Sequence, residues 1–165
     1  DANGELYVVD SSGGQIWRLE EACPATTTTY CTASPNSTGG AAFINASGTP
    51  SVSQNNLTLE VAGAVGAQFG LFYYGANQIN LAFGNGVRCV GAGGIGIFRL
   101  GPPAQTDAFG DLTRHWDLTQ TPSNAGSGAV SAGDTWNVQF WYRDPASTQG
   151  SSFNLSNAIE ISWCQ

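Results

Sequence analysis

The chain has 165 residues, a formal net charge of −7 and only 10% charged residues, against a usual share of about a quarter. Its five basic residues are scattered arginines, so no basic face exists for phosphate contacts, which speaks against nucleic acid and anionic membrane surfaces as partners. No apolar run approaches the roughly 18 residues of a membrane span, and no basic-then-apolar leader opens the sequence; a secretion signal is expected upstream or already removed. With 22 glycines, no Met and no Lys, the chain has few good helix formers and many residues that suit strands and tight turns.

In chain order, Gly4–Asp10 reads as a strand, Ser11-Ser12-Gly13-Gly14 as a turn and Gln15–Leu19 as the return strand. A lone hairpin is marginal in water, so this one needs a partner. The segment GELYVVDSSGGQIWRLE resembles the closing hairpin of a blade in soluble PQQ-dependent sugar dehydrogenases and related propellers. That resemblance implies a propeller domain upstream and carries no catalytic residue into this chain. Residues 21–40 are rich in Thr, Ser, Pro, Asn and Gly and read as a disulfide-pinned linker.

Nine short apolar runs follow, separated by turn signals: Ala41–Asn45, Asn56–Ala62, Gln68–Tyr74, Asn80–Phe83, Val87–Val90, Ile95–Leu100, Leu112–Leu118, Thr135–Arg143 and Ala158–Cys164. Period-two alternation is plain in three. Leu57, Leu59 and Val61 oppose Thr58 and Glu60; Trp136, Val138, Phe140 and Tyr142 oppose Asn137, Gln139, Trp141 and Arg143; Ile159, Ile161 and Trp163 oppose Glu160, Ser162 and Cys164. One polar face per strand is what an antiparallel sheet with one wet side requires. The expectation is an all-β, disulfide-bonded, antiparallel two-sheet β-sandwich, jelly-roll-like, over residues 41–165. Here LTLEVAG, QFGLFYYG, FGNGVRCVG, FRLGP, GDTWNVQFWYRDP and FNLSNAIEISWC resemble a domain recurring at the C-termini of large secreted proteins of environmental bacteria. The resemblance implies a module without settled activity.

Cysteine usage points outside the cytosol. Cys23, Cys31, Cys89 and Cys164 allow three pairings, of which Cys23–Cys31 and Cys89–Cys164 are favoured. A metal site is the weaker reading, because no pair has C-x-x-C spacing and His115 is the only histidine.

Catalysis has little to work with. His115 and Asp117 share a strand face, but no G-x-S-x-G elbow precedes them. Asp107, Asp111, Asp117, Asp134, Asp144 and Glu160 are available as paired carboxylates, yet such residues in loops and strand ends usually cap turns. The glycine-rich run Gly91–Gly96 lacks the Lys-Ser/Thr of a phosphate loop and reads as a turn or bulge. Asp107, Asp111 and Asp144 are candidate oxygen donors for a structural calcium ion.

Aromatic residues make the strongest case for a ligand. Flat C–H faces of sugars stack on Trp and Tyr, while neighbouring polar groups orient hydroxyls. Most of the five Trp, five Tyr and eight Phe belong in a core, with Trp136, Phe140, Phe69, Leu71 and Trp163 suited to inward positions. Trp141, between Gln139 and Arg143 on the polar face, is the first candidate platform, and Trp116, beside His115 and Asp117, the second. Phe72 and Tyr74 oppose Phe69, Leu71 and Tyr73, which makes Tyr74 a further candidate. Three functional classes follow. The favoured one is a secreted, non-catalytic accessory module binding polysaccharide or extracellular matrix. The second is a structural or surface-attachment domain self-associating through strand edges, and the third is an enzyme. Four N-x-S/T sequons, at Asn36, Asn45, Asn56 and Asn154, are incidental in so Ser/Thr/Asn-rich a bacterial-type chain.

Overall fold

Turn-forming glycines break this chain into short extended segments, and the computed structural model, which describes residues 6–19 and 26–165, assembles them into four antiparallel units. Strands β1 (Leu6–Asp10) and β2 (Gln15–Leu19) form a hairpin. A five-stranded sheet takes the order β3 (Thr27–Tyr30), β12 (Phe153–Ser162), β11 (Thr135–Arg143), β6 (Phe69–Gly75) and β9 (Ile97–Gln105). A three-stranded sheet takes the order β10 (Leu112–His115), β5 (Thr58–Ala62) and β4 (Phe43–Ser47), and β7 (Asn77–Phe83) pairs with β8 (Gly86–Gly91) in a second hairpin. Each of the nine expected strands has a counterpart, with ends displaced by a few residues.

The alternation in β11 sets the core. Trp136, Val138, Phe140 and Tyr142 point to one side of the large sheet together with Phe72 and Tyr74 of β6 and Ile159 and Ile161 of β12. They meet Ile44, Leu59 and Val61 of the small sheet, with Leu57, Trp116 and Trp163, in one buried cluster. Tyr74 sits at its middle, 4.8 Å from Trp116, 5.0 Å from Trp136 and 5.2 Å from Phe98 between ring centroids. Phe69, expected inside, is 53% exposed, because the inward phase of β6 is set by Phe72 and Tyr74.

The opposite face of the large sheet is not the wet face its polar residues suggest. Hairpin β7–β8 lies across it, and Asn137 and Gln139 are buried beneath. Close approach is possible because β8 begins with glycine: a Cβ on Gly86 would stand 2.4 Å from Asn154 Oδ1 and 3.1 Å from Leu155 N. A second cluster of buried side chains, Tyr73, Cys89, Val90, Leu155 and Ala158, fills the contact.

Two segments escaped the sequence reading. The first half of β12, Phe153–Asn157, is polar in composition yet buried at Asn154, Ser156 and Asn157. The ladder with β11 slips between Gln139↔Ala158 and Trp141↔Leu155, leaving Ser156 and Asn157 opposite Phe140. Side chains replace the lost ladder bonds: Phe140 N–H donates to Ser156 Oγ at 3.0 Å, and Ile44 N–H of the small sheet donates to Asn157 Oδ1 at 2.7 Å. This is bulge chemistry that hydrophobic periodicity does not register.

The other segment lies in the expected linker. Thr27–Tyr30 is an edge strand of the large sheet, and Asn36 is buried, donating to Gly63 O at 2.9 Å. Residues 26–40 are therefore part of the folded body, while 20–25 lie outside the described residues. The expected bridges Cys23–Cys31 and Cys89–Cys164 do not form, because Cys31 is bonded to Cys89, with 6.3 Å between Cα atoms. The cause is the path of β3 along β12, which brings Tyr30 within a 3.1 Å hydrogen bond of Cys89 O and sets Cys31 beside β8. Cys164 is disulfide-bonded as well, and Cys23 lies outside the described residues.

Candidate functional site

Alternate residues of neighbouring strands line up across a sheet, and two such rows face the β7–β8 hairpin. One row runs Leu71–Trp141–Leu155 and the next Arg99–Tyr73–Gln139. Between this floor and the hairpin is a cavity of about 350 Å³, lined by Leu71, Tyr73, Ile97, Arg99, Trp141 and Leu155 from the sheet and Phe83 and Arg88 from the hairpin. That volume lies within the roughly 300–1,000 Å³ range of small-molecule sites. A second hollow, lined by Ile97, Phe98, Arg99, Gly101, Thr121 and Pro122, shares Ile97 and Arg99 with the first.

Buried polar groups hold the floor and hairpin in place. Gln139 is fully buried, and its side chain fills all its bonding positions. Nε2 donates to Val87 O at 2.8 Å and Ser156 O at 2.7 Å; Oε1 accepts from Cys89 N–H at 3.0 Å and from the Tyr73 hydroxyl. One amide thus ties β8, β11, β12 and β6 together. Burial pushes the Tyr73 hydroxyl well above the usual phenol range, so it remains a donor across ordinary pH.

The wall is aromatic and cationic. Phe83 packs at a tilt against Phe153, 5.1 Å between ring centroids, and Phe153 against Trp141 at 5.7 Å. The Arg88 guanidinium lies 5.7 Å from the centroid of the Phe83 ring, in cation–π range. Its Nε is buried without a hydrogen-bond partner. Among the described residues no carboxylate lines either hollow, so Arg88 and Arg99 face no described acidic side chain there.

Of the residues singled out in the sequence, Trp141 is the one the cavity takes up directly. Gln139 lies beneath as a structural tie with no free amide group. Trp116 is 1% exposed and donates its indole N–H to Ser123 Oγ at 2.7 Å, so it is core rather than platform. Tyr74 is likewise core, its hydroxyl bonded to Gly128 O at 2.6 Å. Both were misplaced by strand phase. Trp116 follows the end of β10 and turns into the shared core, and Tyr74 follows Phe72. Arg143 is exposed at the end of β11 and does not line the cavity. Asp117 folds a turn, accepting from Thr119 N–H at 2.9 Å, Thr119 Oγ1 at 2.7 Å and Asn55 Nδ2 at 3.2 Å. These bonds, Thr119 foremost, hold its carboxyl down at about 2. His115 Nε2 meets Asn55 O at 2.7 Å.

The candidate calcium donors do not converge. Asp107 Oδ1 accepts the N–H groups of Phe109 and Asp111 at 2.8 and 2.9 Å, closing the turn before β10, and Asp111 Oδ1 accepts Gly63 N–H at 3.2 Å. Asp144 is buried and accepts Ser37 N–H at 3.0 Å. Among the described residues no group of three or more His, Cys, Asp or Glu is placed to hold a metal ion.

Sequence reasoning did not select Tyr73, Phe83, Arg88 or Arg99. Signals were present: Tyr73 and Leu71 alternate with Phe72 and Tyr74, and two of the chain's five basic residues sit in β8 and β9. What was missing was the fold of the hairpin over the sheet, which no local pattern encodes. Comparison with known protein families, curated proteins and solved structures finds no match for this chain. The functional reading therefore stands on the geometry of the groove. Chemically, that geometry offers an apolar floor, a tryptophan packed at a tilt against Phe153, a second phenylalanine at Phe83, and two guanidiniums.

Proposed function

We propose that the chain is a non-catalytic, carbohydrate-binding module of an extracellular protein, with its site in the groove between the β7–β8 hairpin and the large sheet. The two sheets that share the core are then the layers of a jelly-roll-like sandwich, whose outer face carries the site. The observation that supports this reading is a preformed cavity that combines Trp141, Tyr73 and Phe83 with Arg88 and Arg99. Aromatic faces take the C–H faces of a sugar ring, and guanidiniums orient its oxygens. Among the described residues the lining holds no carboxylate pair of the kind glycoside hydrolysis uses, which favours binding over catalysis at this groove. The Cys31–Cys89 disulfide is compatible with an oxidising, extracellular setting.

Affinity electrophoresis against a panel of soluble polysaccharides tests the proposal. At least one glycan retards the chain and Trp141→Ala abolishes the retardation; no retardation on any glycan overturns it.

A second reading, assembly with another β surface, is favoured by hairpin β1–β2, where Val9, Ile16 and Trp17 are 66%, 69% and 59% exposed. The outer edge of the large sheet does not favour it. Pro102 and Pro103 interrupt β9 and offer no N–H to an incoming strand. Light scattering that rises with concentration and is suppressed by Ile16→Thr supports assembly; a monomer at all concentrations refutes self-association.

A further inference from the structure

The charge of the groove is opposite to that of the molecule. The chain carries 12 acidic residues against five basic ones, yet both charged side chains lining the main cavity are arginines. Arg88 is half-buried, its Nε has no partner, and its guanidinium is held against Phe83. Arg99 is exposed, and its neighbour across the ladder is Tyr73, a neutral phenol. Neither arginine forms an ion pair with a carboxylate among the described residues. In a chain so rich in carboxylates, two arginines facing one hollow without an acidic partner leave a site electrostatically incomplete. A planar guanidinium fork matches an anionic oxygen pair better than it matches a sugar hydroxyl.

The second hollow continues the groove along the surface. It shares Arg99 and Ile97 with the first and continues past Phe98 and Gly101 to Thr121 and Pro122. Arg99 thus stands at the junction of two adjoining hollows, where a polymer passing from one to the other would present successive residues. An apolar floor with a cation at its junction suits a chain of sugar rings bearing regularly spaced negative charges.

We propose that the groove binds an anionic polysaccharide, its aromatic floor stacking sugar rings while Arg88 and Arg99 take the acidic groups of adjacent residues. This rests on the groove being a sugar site, and deepens it by naming the class of sugar.

Binding of the full chain is measured by isothermal titration against two matched pairs of polymers: polygalacturonate with its carboxyl-reduced counterpart, and dextran sulfate with dextran. The expected result is at least tenfold tighter binding to one anionic polymer than to its neutral partner. Which pair shows the larger ratio tells whether carboxylated or sulfated sugars are the source of the charge. Arg99→Gln, at an exposed position, reduces that ratio several-fold, and Arg88→Gln with Arg99→Gln brings it to about one. Equal binding of charged and neutral polymers with loss in Trp141→Ala overturns the anionic preference and leaves the sugar site standing. A preference that survives the double arginine substitution also overturns it. Failure of the wild-type chain to bind either anionic polymer overturns the anionic reading, and the sugar site itself then stands or falls on the wider polysaccharide panel.

Discussion

The two faces of the five-stranded sheet are made from alternate residues of the same strands and are both covered, yet they are closed by different chemistry. The inner face is shut by rings and aliphatic side chains packed against the small sheet, with Phe72 4.7 Å from Phe140. The outer face carries a smaller apolar cluster around Val90 and Leu155, pinned by amide hydrogen bonds centred on Gln139 and by the disulfide at Cys89, and it stays partly open beside them. Dispersion and hydrophobic burial act in all directions and fill space, whereas hydrogen bonds and a covalent tie fix a few points and leave room between them. A hollow can therefore persist on the outer face without loss of the core.

Phe140 is fully buried, so Phe140→Ala is expected to cost about 4 to 5 kcal/mol in chemical denaturation, the upper part of the range for large-to-small core changes. Any sugar binding by the fraction that remains folded stays unchanged. On the outer face, replacing Cys31 and Cys89 with Ser opens a loop of 58 residues; the chain-entropy model gives up to about 4 kcal/mol. The same reduction loosens β8, so binding weakens along with stability, which distinguishes it from Phe140→Ala.

Gln139→Leu is a smaller perturbation with a sharper reading. It keeps the volume but strands the Tyr73 hydroxyl, Cys89 N–H, Val87 O and Ser156 O, for a loss of about 3 kcal/mol in urea unfolding. If stability holds, the outer face is not closed by hydrogen bonds in the manner described.

The smallest expected effect concerns pH. Asp117 has its carboxyl lowered from 3.8 to about 2, chiefly by Thr119, with Asn55 also donating. A depressed acid stabilises the fold above its unfolded value and loses that contribution as pH falls from about 4 to 2. Thermal melts of Asp117→Asn are therefore expected to be flatter than wild type across that window and to match it in glycan binding. An equal acid-induced drop in both proteins removes Asp117 from the account.

How much of this was legible in the sequence depends on which chemistry closed each face. The inner face was readable because Trp136, Val138, Phe140 and Tyr142 repeat with period two, and so do Ile159, Ile161 and Trp163. Tyr74 and Trp116 went astray because a single aromatic residue does not declare its phase. The outer face was hidden. Asn137 and Gln139 look like solvent-facing residues until a hairpin 50 residues upstream is seen lying on them, and Ser156 and Asn157 look like a loop until the bulge opposite Phe140 is seen. The Cys31–Cys89 bridge was misread for the same reason: proximity in sequence is not proximity across a sheet edge. Trp141 stood out because its position between Gln139 and Arg143 contradicts the polarity of its strand face, and the fold places it in the lining of the outer cavity.

The central claim is that ligand is received by the outer face at Trp141 and by no other tryptophan. The indole N–H signals of Trp17, Trp116, Trp136, Trp141 and Trp163 allow it to be tested in one nitrogen–proton correlation spectrum titrated with oligogalacturonate, or with whichever glycan the chain retains. A saturable shift of the Trp141 signal is expected, with Trp116, Trp136 and Trp163 of the buried core and Trp17 of the β1–β2 hairpin left in place. A titration in which Trp17 moves and Trp141 does not would contradict it.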